Sequence, residues 1–421
     1  MGVTEFDQTA RTLVRRRRVF YLPGYDPFHP RRYRELYRTE SAAQAEVSGY
    51  RIEQWAKREG GPYGWHVDAH IEGCDVGADV EVLVWSDIVR GSMSNSIPAT
   101  YWQLVRTAWT YIASGALRRL MWLRKGPVIA ALYPVGMLLC QLALAIVAGA
   151  LLARGATGGL GLLLPMPGWL VDGIGWSVLL VVAVVVLRWF KAQDGKVFAY
   201  YLMHDYAYSA RWNGANPPEL EARMEEFGDI IAAALTEPDL EEVLVVGHSS
   251  GAHLAVSILA DLIREGRVPE HGPALGFLSL GQVVPMVSFL PAAYRLRADL
   301  AFLSTRDELM WIDVTAPGDG CAFALCDPVA VSGVAPDQGQ RWPLVISAAF
   351  TQTLSAARWK ELRWRFFRLH FQYLCAFDRP GDYDYFRITA GPLTLADRFA
   401  DRKPSMSRID VPASKYTSIA A

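Results

Sequence analysis

Val243-Leu244-Val245-Val246-Gly247-His248-Ser249-Ser250-Gly251-Ala252-His253 is the stretch on which the reading of this chain turns. Val243 to Val246 is an unbroken apolar, mostly β-branched run, the pattern of a buried strand. Leu254, Ala255, Ile258, Leu259, Leu262 and Ile263 follow at helical spacing, and Gly266 closes the pattern. Between strand and helix stands Gly247-x-Ser249-x-Gly251. A turn this sharp strains the serine backbone and lifts its hydroxyl clear of the sheet edge. Glycines flank it because a Cβ there would meet neighbouring backbone. The helix start also turns N–H groups toward the place where an oxyanion would form.

Arg18-Val19-Phe20-Tyr21-Leu22 reads as a short strand broken by Pro23-Gly24, with Tyr25 and Asp26-Pro27 next. Leu309 to Val314 reads as another strand, leading into Pro317-Gly318-Asp319-Gly320. With the elbow, these segments and His370 make the chain resemble the α/β-hydrolase superfamily, most like its lipase and esterase members. The matches are short, near 19–26, 243–255, 311–328 and 370, and a long interruption separates the first two. The resemblance implies an α/β fold, a mostly parallel sheet flanked by helices. It also implies that one oxyanion-hole N–H comes from Gly24 or Tyr25, the other from Ser250. The His-Gly pair that many members carry at the first position is absent.

A serine hydroxyl needs a base, and the base needs an orienting carboxylate. In the family these follow the nucleophile in the order acid, then histidine. Of the eight histidines, only His253, His271 and His370 follow Ser249. His253 lies on the helix leaving the elbow, and His271 in a loop at the wrong end of the sheet. His370 is therefore the expected base, the alternative being a buried structural histidine near Tyr373. Asp319, in a Gly-flanked loop just past a strand end, is the expected acid. Asp327 is the reserve, and Asp313 within the strand is the third choice. The adjacent His204 and Asp205 precede the nucleophile and read better as pocket lining or a packed helix. His66 and His70 share a strand face and read as surface or half-buried residues rather than as metal ligands.

The interruption is apolar. Residues 100–123 carry Tyr101, Trp102, Trp109 and Trp122 among aliphatic residues, with Arg118, Arg119, Arg124 and Lys125 at the far end. This suits an amphipathic helix lying at a membrane surface, or a core helix with basic tips. Pro127 to Ala153 has no Asp, Glu, Lys or Arg in 27 residues, long enough to span the roughly 30 Å of bilayer hydrocarbon with tilt. Trp169 to Phe190 is a second such stretch, and Gly155 to Gly168 reads as the connecting loop. The expectation is an inserted transmembrane helical hairpin. Basic residues crowd its two ends, and only Arg154 marks its turn, which places both ends and the catalytic body on the cytoplasmic side of a bacterial inner membrane. Trp122, Trp169 and Trp189 fit interfacial anchors.

The expected organisation is thus 1–98 and 197–394 as the two parts of the hydrolase domain, 99–196 as the insertion, and 395–421 as a loosely held polar tail. Residues 47–56 and 65–71 suit a β-hairpin, Val82 to Trp85 a buried strand, and 284–303 a cap over the site. The basic run Arg15 to Arg18 reads as a solvated strand end, or as a contact for anionic lipid. The chain has 421 residues, net charge −1 and 52% hydrophobic residues, which does not suggest a nucleic-acid partner. Five scattered cysteines give no disulfide framework and no zinc spacing, since Cys321 and Cys326 lack partnering histidines nearby in sequence. The function expected is a membrane-anchored serine hydrolase that cleaves a carboxylic ester, lipid or otherwise hydrophobic, without cofactor or metal. The alternative is a catalytically silent membrane scaffold or binding protein of the same fold. Oligomeric state is left open.

Overall fold

The computed structural model describes residues 13–57, 60–93, 96–163 and 166–421. The chain divides into two compact units: Met1–Arg90, Ser114–Val128 and Trp212–Ala421 form one, Gly91–Ala113 and Ile129–Arg211 the other. The divisions fall near, but not at, the expected 98/99 and 196/197, and residues 114–128 return to the first unit.

The first unit is built on an eight-stranded sheet in the order β2-β3-β4-β1-β5-β6-β7-β8. Its strands are β1 Arg16–Leu22, β2 Arg51–Ala56, β3 Gly64–Ile71, β4 Cys74–Val82, β5 Glu242–His248, β6 Ala274–Leu280, β7 Met310–Thr315 and β8 Leu344–Ser347. From β4 through β8 neighbouring strands are parallel; β2–β3 and β3–β4 are antiparallel. This is an α/β protein with a mostly parallel sheet flanked by helices. Every residue of β5 is buried, as a strand covered on both faces requires. Helix α1, Arg31–Ser48, follows β1. The antiparallel end carries the β2–β3 hairpin, although residues 47 and 48 belong to α1. The strand read at 82–85 instead occupies 74–82, with 83–85 running beyond its end.

The chain leaves β1 on one side to build β4 and returns on the other to build β5. Such a reversal opens a crevice at the carboxyl ends of the strands. Two more elements of this unit flank the sheet: Pro218–Leu235 and Gly251–Arg264. Leu254, Ile258, Leu259 and Leu262 of the latter are buried. Each is worth about 1.5–3 kcal/mol relative to exposure.

The basic run is solvated only in its first half: Arg15 and Arg16 are exposed, whereas Arg17 and Arg18 are drawn into the sheet. Arg17 is buried and ion-paired with Glu242, and donates to the carbonyls of Gly391 (2.8 Å) and Leu393 (2.6 Å). Arg18 pairs with Glu81 at 2.6 Å and with Glu237. The tail is docked rather than loose: Ile409 N–H donates to Leu325 (2.7 Å), and Asp327 N–H to Ile409 (2.9 Å). Of residues 284–303, read as a cap, the second half lies away from the elbow. Within them, Tyr294–Leu303 carries Asp299, which pairs with Arg264 at the C-terminal end of Gly251–Arg264, the end far from Ser249.

The second unit contains Ile97–Ala113, most of the helix Lys125–Leu163, and the helices Gly168–Ala192 and Ala199–Arg211. The stretch 100–123 is two helices, not one. Ile97–Ala113 ends before Gly115, whose φ of 78° only glycine adopts freely, and Ala116–Leu123 follows in the first unit. Trp102, Val105, Trp109 and Ile112 form an exposed apolar stripe along Ile97–Ala113. The connection read at 155–168 is largely helical, since Lys125–Leu163 runs 39 residues, about 58 Å. Lys125–Leu162 and Gly168–Ala192 are long and apolar enough to cross a membrane. They pack closely where Gly149 meets Leu179: a Cβ on Gly149 would fall 2.8 Å from the Leu179 carbonyl oxygen.

Inside β7, Asp313 is fully buried and accepts from Ser279 Oγ at 2.6 Å, while Trp311 Nε1 donates to the same hydroxyl at 2.9 Å. Burial raises its carboxyl to about 8. A group whose folded value is raised stabilises the fold fully below its unfolded value, near 4, and loses that contribution as pH climbs to about 8. Asp313→Asn does not carry this loss. Its stability relative to the parent, measured by denaturant unfolding in detergent, will therefore rise by up to about 1.4 kcal/mol per pH unit between about pH 4 and pH 8, then level off. A difference that stays constant across that range contradicts the assignment.

Candidate active site

Ser249 sits between β5 and the helix Gly251–Arg264 with φ of 58°, a left-handed conformation that costs a serine about 1–3 kcal/mol. The turn is held from several sides. Ser249 N–H donates to Leu280 (2.9 Å), and Ala252 N–H to Ser249 (3.2 Å). A Cβ on Gly247 would fall 2.7 Å from Ala252 Cα, and one on Gly251 would fall 2.2 Å from the Leu22 carbonyl oxygen. Both positions are therefore closed to any other residue unless backbone moves.

The loop after β1 reaches the same turn. A Cβ on Gly24 would fall 3.0 Å from Ser249 Cβ and 3.4 Å from Ser249 Oγ, so Gly24 lies directly beside the serine. Tyr25 N–H donates to Ser250 Oγ at 3.1 Å. The two loops are thus fastened to each other by a residue on either side of the nucleophile position. Ser250, at the N-cap of the helix, belongs to a first turn whose N–H groups have no carbonyl within the helix.

Asp319 follows β7, and His370 ends the short helix Phe366–His370 beyond β8. His370 Nδ1 lies 2.7 Å from Asp319 Oδ2, and both residues are buried. Tyr373 OH donates to the same oxygen at 3.0 Å, and Cys321 N–H donates to Oδ1 at 2.8 Å. Burial by itself pushes the Asp319 carboxyl up. The neighbouring His370, through charge and hydrogen bond, together with the Cys321 and Tyr373 donors, outweighs it and holds the carboxyl below its ordinary value. Asp319 is therefore ionised and acts as acceptor, so Nδ1 of His370 carries the hydrogen between them.

Ser249 and His370 both touch the turn after β6, with no hydrogen bond between the Ser249 hydroxyl and the imidazole. Ser249 N–H bonds the Leu280 carbonyl, and the next residue, Gly281 (φ 54°), lies against the imidazole: a Cβ there would fall 3.0 Å from His370 Cε1. His248 adds a second tie, since its Nε2 lies 3.0 Å from the His370 carbonyl oxygen and the two rings are 4.7 Å apart. Burial lowers His248 to about 3, so it is neutral and donates Nε2–H to that carbonyl. His248 and Tyr373 are supporting residues that the sequence reading did not single out. Adjacency to Ser249, and three-residue spacing from His370, were the signals present.

The remaining candidates lie elsewhere. Asp327 caps the short helix Pro328–Val331, accepting from Val329 and Ala330, and is bonded by Gln340 at 2.8 Å. Asp313 points into the interior of the sheet, toward Ser279. His253 is buried in its helix, where desolvation lowers it to about 4. His271 lies in the loop before β6, at the amino end of the sheet. His204 and Asp205 belong to Ala199–Arg211 of the other unit. His66 contacts Asp79 (2.8 Å) and Asp68 (3.1 Å), and His70 contacts Asp75 (2.7 Å). These are ordinary partners on a sheet surface.

Just before His370 the surface is aromatic and basic. Trp364, Phe366 and Phe367 are exposed, interleaved with Arg363, Arg365 and Arg368. Phe366 reaches the acid loop: a Cβ on Gly320 would fall 3.0 Å from its ring.

Comparison of this chain with protein-family models, with curated proteins and with solved structures finds no match.

Proposed function

We propose that this protein is a membrane-anchored serine hydrolase of the α/β-hydrolase type, acting on carboxylic esters with a hydrophobic acyl or alcohol part. The observation that carries the reading is the 2.7 Å contact between buried Asp319 and His370, at the same strand ends as a serine held at φ 58°. Strained backbone at a glycine-flanked serine, with a carboxylate-oriented imidazole at the same end of the sheet, is what serine acyl transfer calls for.

Ser249 Oγ attacks the ester carbonyl carbon, and the carbonyl π pair moves onto oxygen. Nε2 of His370 takes the hydroxyl proton, and Asp319 stabilises the imidazolium through Nδ1–H. The N–H groups of Ser250 and Gly24 receive the oxyanion. Tyr25 is the weaker donor of the pair offered by the sequence, because its N–H is already given to Ser250 Oγ. Collapse of the adduct breaks the bond to the alkoxide, which leaves with the proton from His370. Water repeats the cycle on the acyl-enzyme, releasing the carboxylic acid and freeing Ser249.

Two features support an apolar substrate. Trp364, Phe366 and Phe367 present exposed aromatic surface beside the acid loop. Lys125–Leu162 and Gly168–Ala192 supply segments able to hold the chain at a bilayer. The interleaved arginines suit anionic head groups near that surface. Cytoplasmic placement of the body in a bacterial inner membrane remains the reading that the basic residues around the hairpin support.

A fluorophosphonate probe tests the chemistry. Full-length protein in detergent will be labelled at Ser249. Ser249→Ala will abolish labelling, and His370→Ala will slow it by about 10³-fold or more. A folded wild type that stays unlabelled overturns the enzyme assignment and leaves a binding or scaffold protein. For the anchor, an alkaline carbonate wash of membranes from expressing cells will leave the chain in the pellet. Release of the intact chain into the supernatant contradicts embedding.

A further inference from the structure

The acid loop carries one group that serine chemistry does not use. Cys321 stands two residues past Asp319, and its N–H bond to Asp319 Oδ1 folds the loop back on itself. A carboxylate oxygen of Asp319, Sγ of Cys321 and a ring nitrogen of His370 all lie within 4.8 Å of one another. Asp319 and His370 are buried and Cys321 is partly so. The cysteine reads as isolated in the chain because its histidine arrives from 49 positions later.

We propose that these three residues form a zinc site, and that zinc bound there shuts off the serine chemistry. The donor set decides the metal. Thiolate, imidazole and carboxylate are the ligands of zinc, whereas magnesium and calcium take oxygen sets. Charge decides that a partly buried site tolerates it: one thiolate, one carboxylate and one neutral imidazole bring two negative charges to a dication, leaving none in excess. Tetrahedral zinc needs ligand atoms about 3.3–3.6 Å apart, so Nδ1 and Oδ2, now 2.7 Å apart, must part slightly, while atoms as far as 4.8 Å apart draw in by about 1 Å. A fourth position stays open to water.

Binding replaces protons with metal. The Cys321 thiol loses its proton to solvent, zinc takes Nδ1 of His370 and the Asp319 carboxylate, and the proton those two shared passes to Nε2, so the ring stays neutral. With Nδ1 on the metal and Nε2 protonated, the imidazole has no lone pair left for the serine proton, and Ser249 loses its base. The inhibitory half of the proposal rests on the hydrolase reading; the zinc-binding half does not.

The test separates the two. Full-length protein in detergent, stripped with EDTA and dialysed, is titrated with zinc against a chromophoric chelator. The wild type will take up one zinc per chain, Ser249→Ala will bind as tightly, and Cys321→Ser will bind about tenfold more weakly or worse. In parallel, fluorophosphonate labelling of Ser249 with zinc is compared, within each variant, with the same variant in EDTA. Zinc will slow labelling about tenfold or more in the wild type and leave the ratio near one in Cys321→Ser. Should Cys321→Ser not fold, mass spectrometry of the wild type decides: zinc will slow alkylation of Cys321 about tenfold and leave Cys74 and Cys375 unchanged. Absence of zinc uptake by the wild type, equal uptake by Cys321→Ser, or unprotected Cys321 overturns the site. Zinc uptake without any labelling of Ser249 in EDTA overturns the hydrolase reading, and with it the inhibitory half, while leaving the metal site standing.

Discussion

Gly251 lies against the end of β1 at a distance that no side chain could survive. A Cβ there would sit 2.2 Å from the Leu22 carbonyl oxygen and 2.8 Å from that of Pro23. Hydrogen takes that space, so the loop after β1 and the helix after β5 interlock. Gly247 and Gly24 repeat the device from two other directions. The left-handed Ser249 is the residue over-determined by these contacts, and its strain is offset by the packing of the fully buried β5 and a largely buried helix. If the interlock were lost, the serine would relax into the loop and the crevice at the chain reversal would close or widen.

The other half of the site is electrostatic. Asp319 is buried, a placement that alone would neutralise it, yet three donors hold it ionised. Asp313, six residues earlier in the same segment, is buried with Ser279 as its hydrogen-bond donor and is driven the opposite way. Burial acts on both, and the neighbouring imidazole with its added donors is what separates Asp319 from Asp313. His248 is held neutral, so it serves as a fixed donor to the His370 backbone without adding a positive charge to the cluster.

Much of the first unit was legible because its signals are local. The apolar run 243–246, the glycines around Ser249 and the helical spacing after it each specify one element. The β2–β3 hairpin showed in alternation. β4 was hidden because its polar positions look like loop: Asp79 is polar to meet His66, and Glu81 to meet Arg18 and Lys57, partners that are distant in sequence. Arg17 and Arg18 misled for the same reason, since their acids lie at 81, 237 and 242. Gly155 to Gly161 read as a loop on propensity, whereas a continuous helix keeps each backbone group bonded within an apolar stretch. The pairing of Asp319 with His370 was anticipated from chain order, but the ties from Tyr373 and His248 depend on side-chain directions that spacing does not reveal.

β1 has consequences for how the chain is made. It lies between β4 and β5, yet β5 begins about 220 residues after β1 ends. At about 5–20 residues per second, a ribosome needs roughly 10–45 s to deliver it. Throughout that interval one side of β1 has no backbone partner, and Arg17 lacks Glu242 and the carbonyls at 391 and 393 that finally receive it. An unpaired apolar edge invites pairing with other nascent chains. The charged start of β1, Arg15 to Arg18, then acts as a gatekeeper during synthesis before becoming an anchor in the finished sheet.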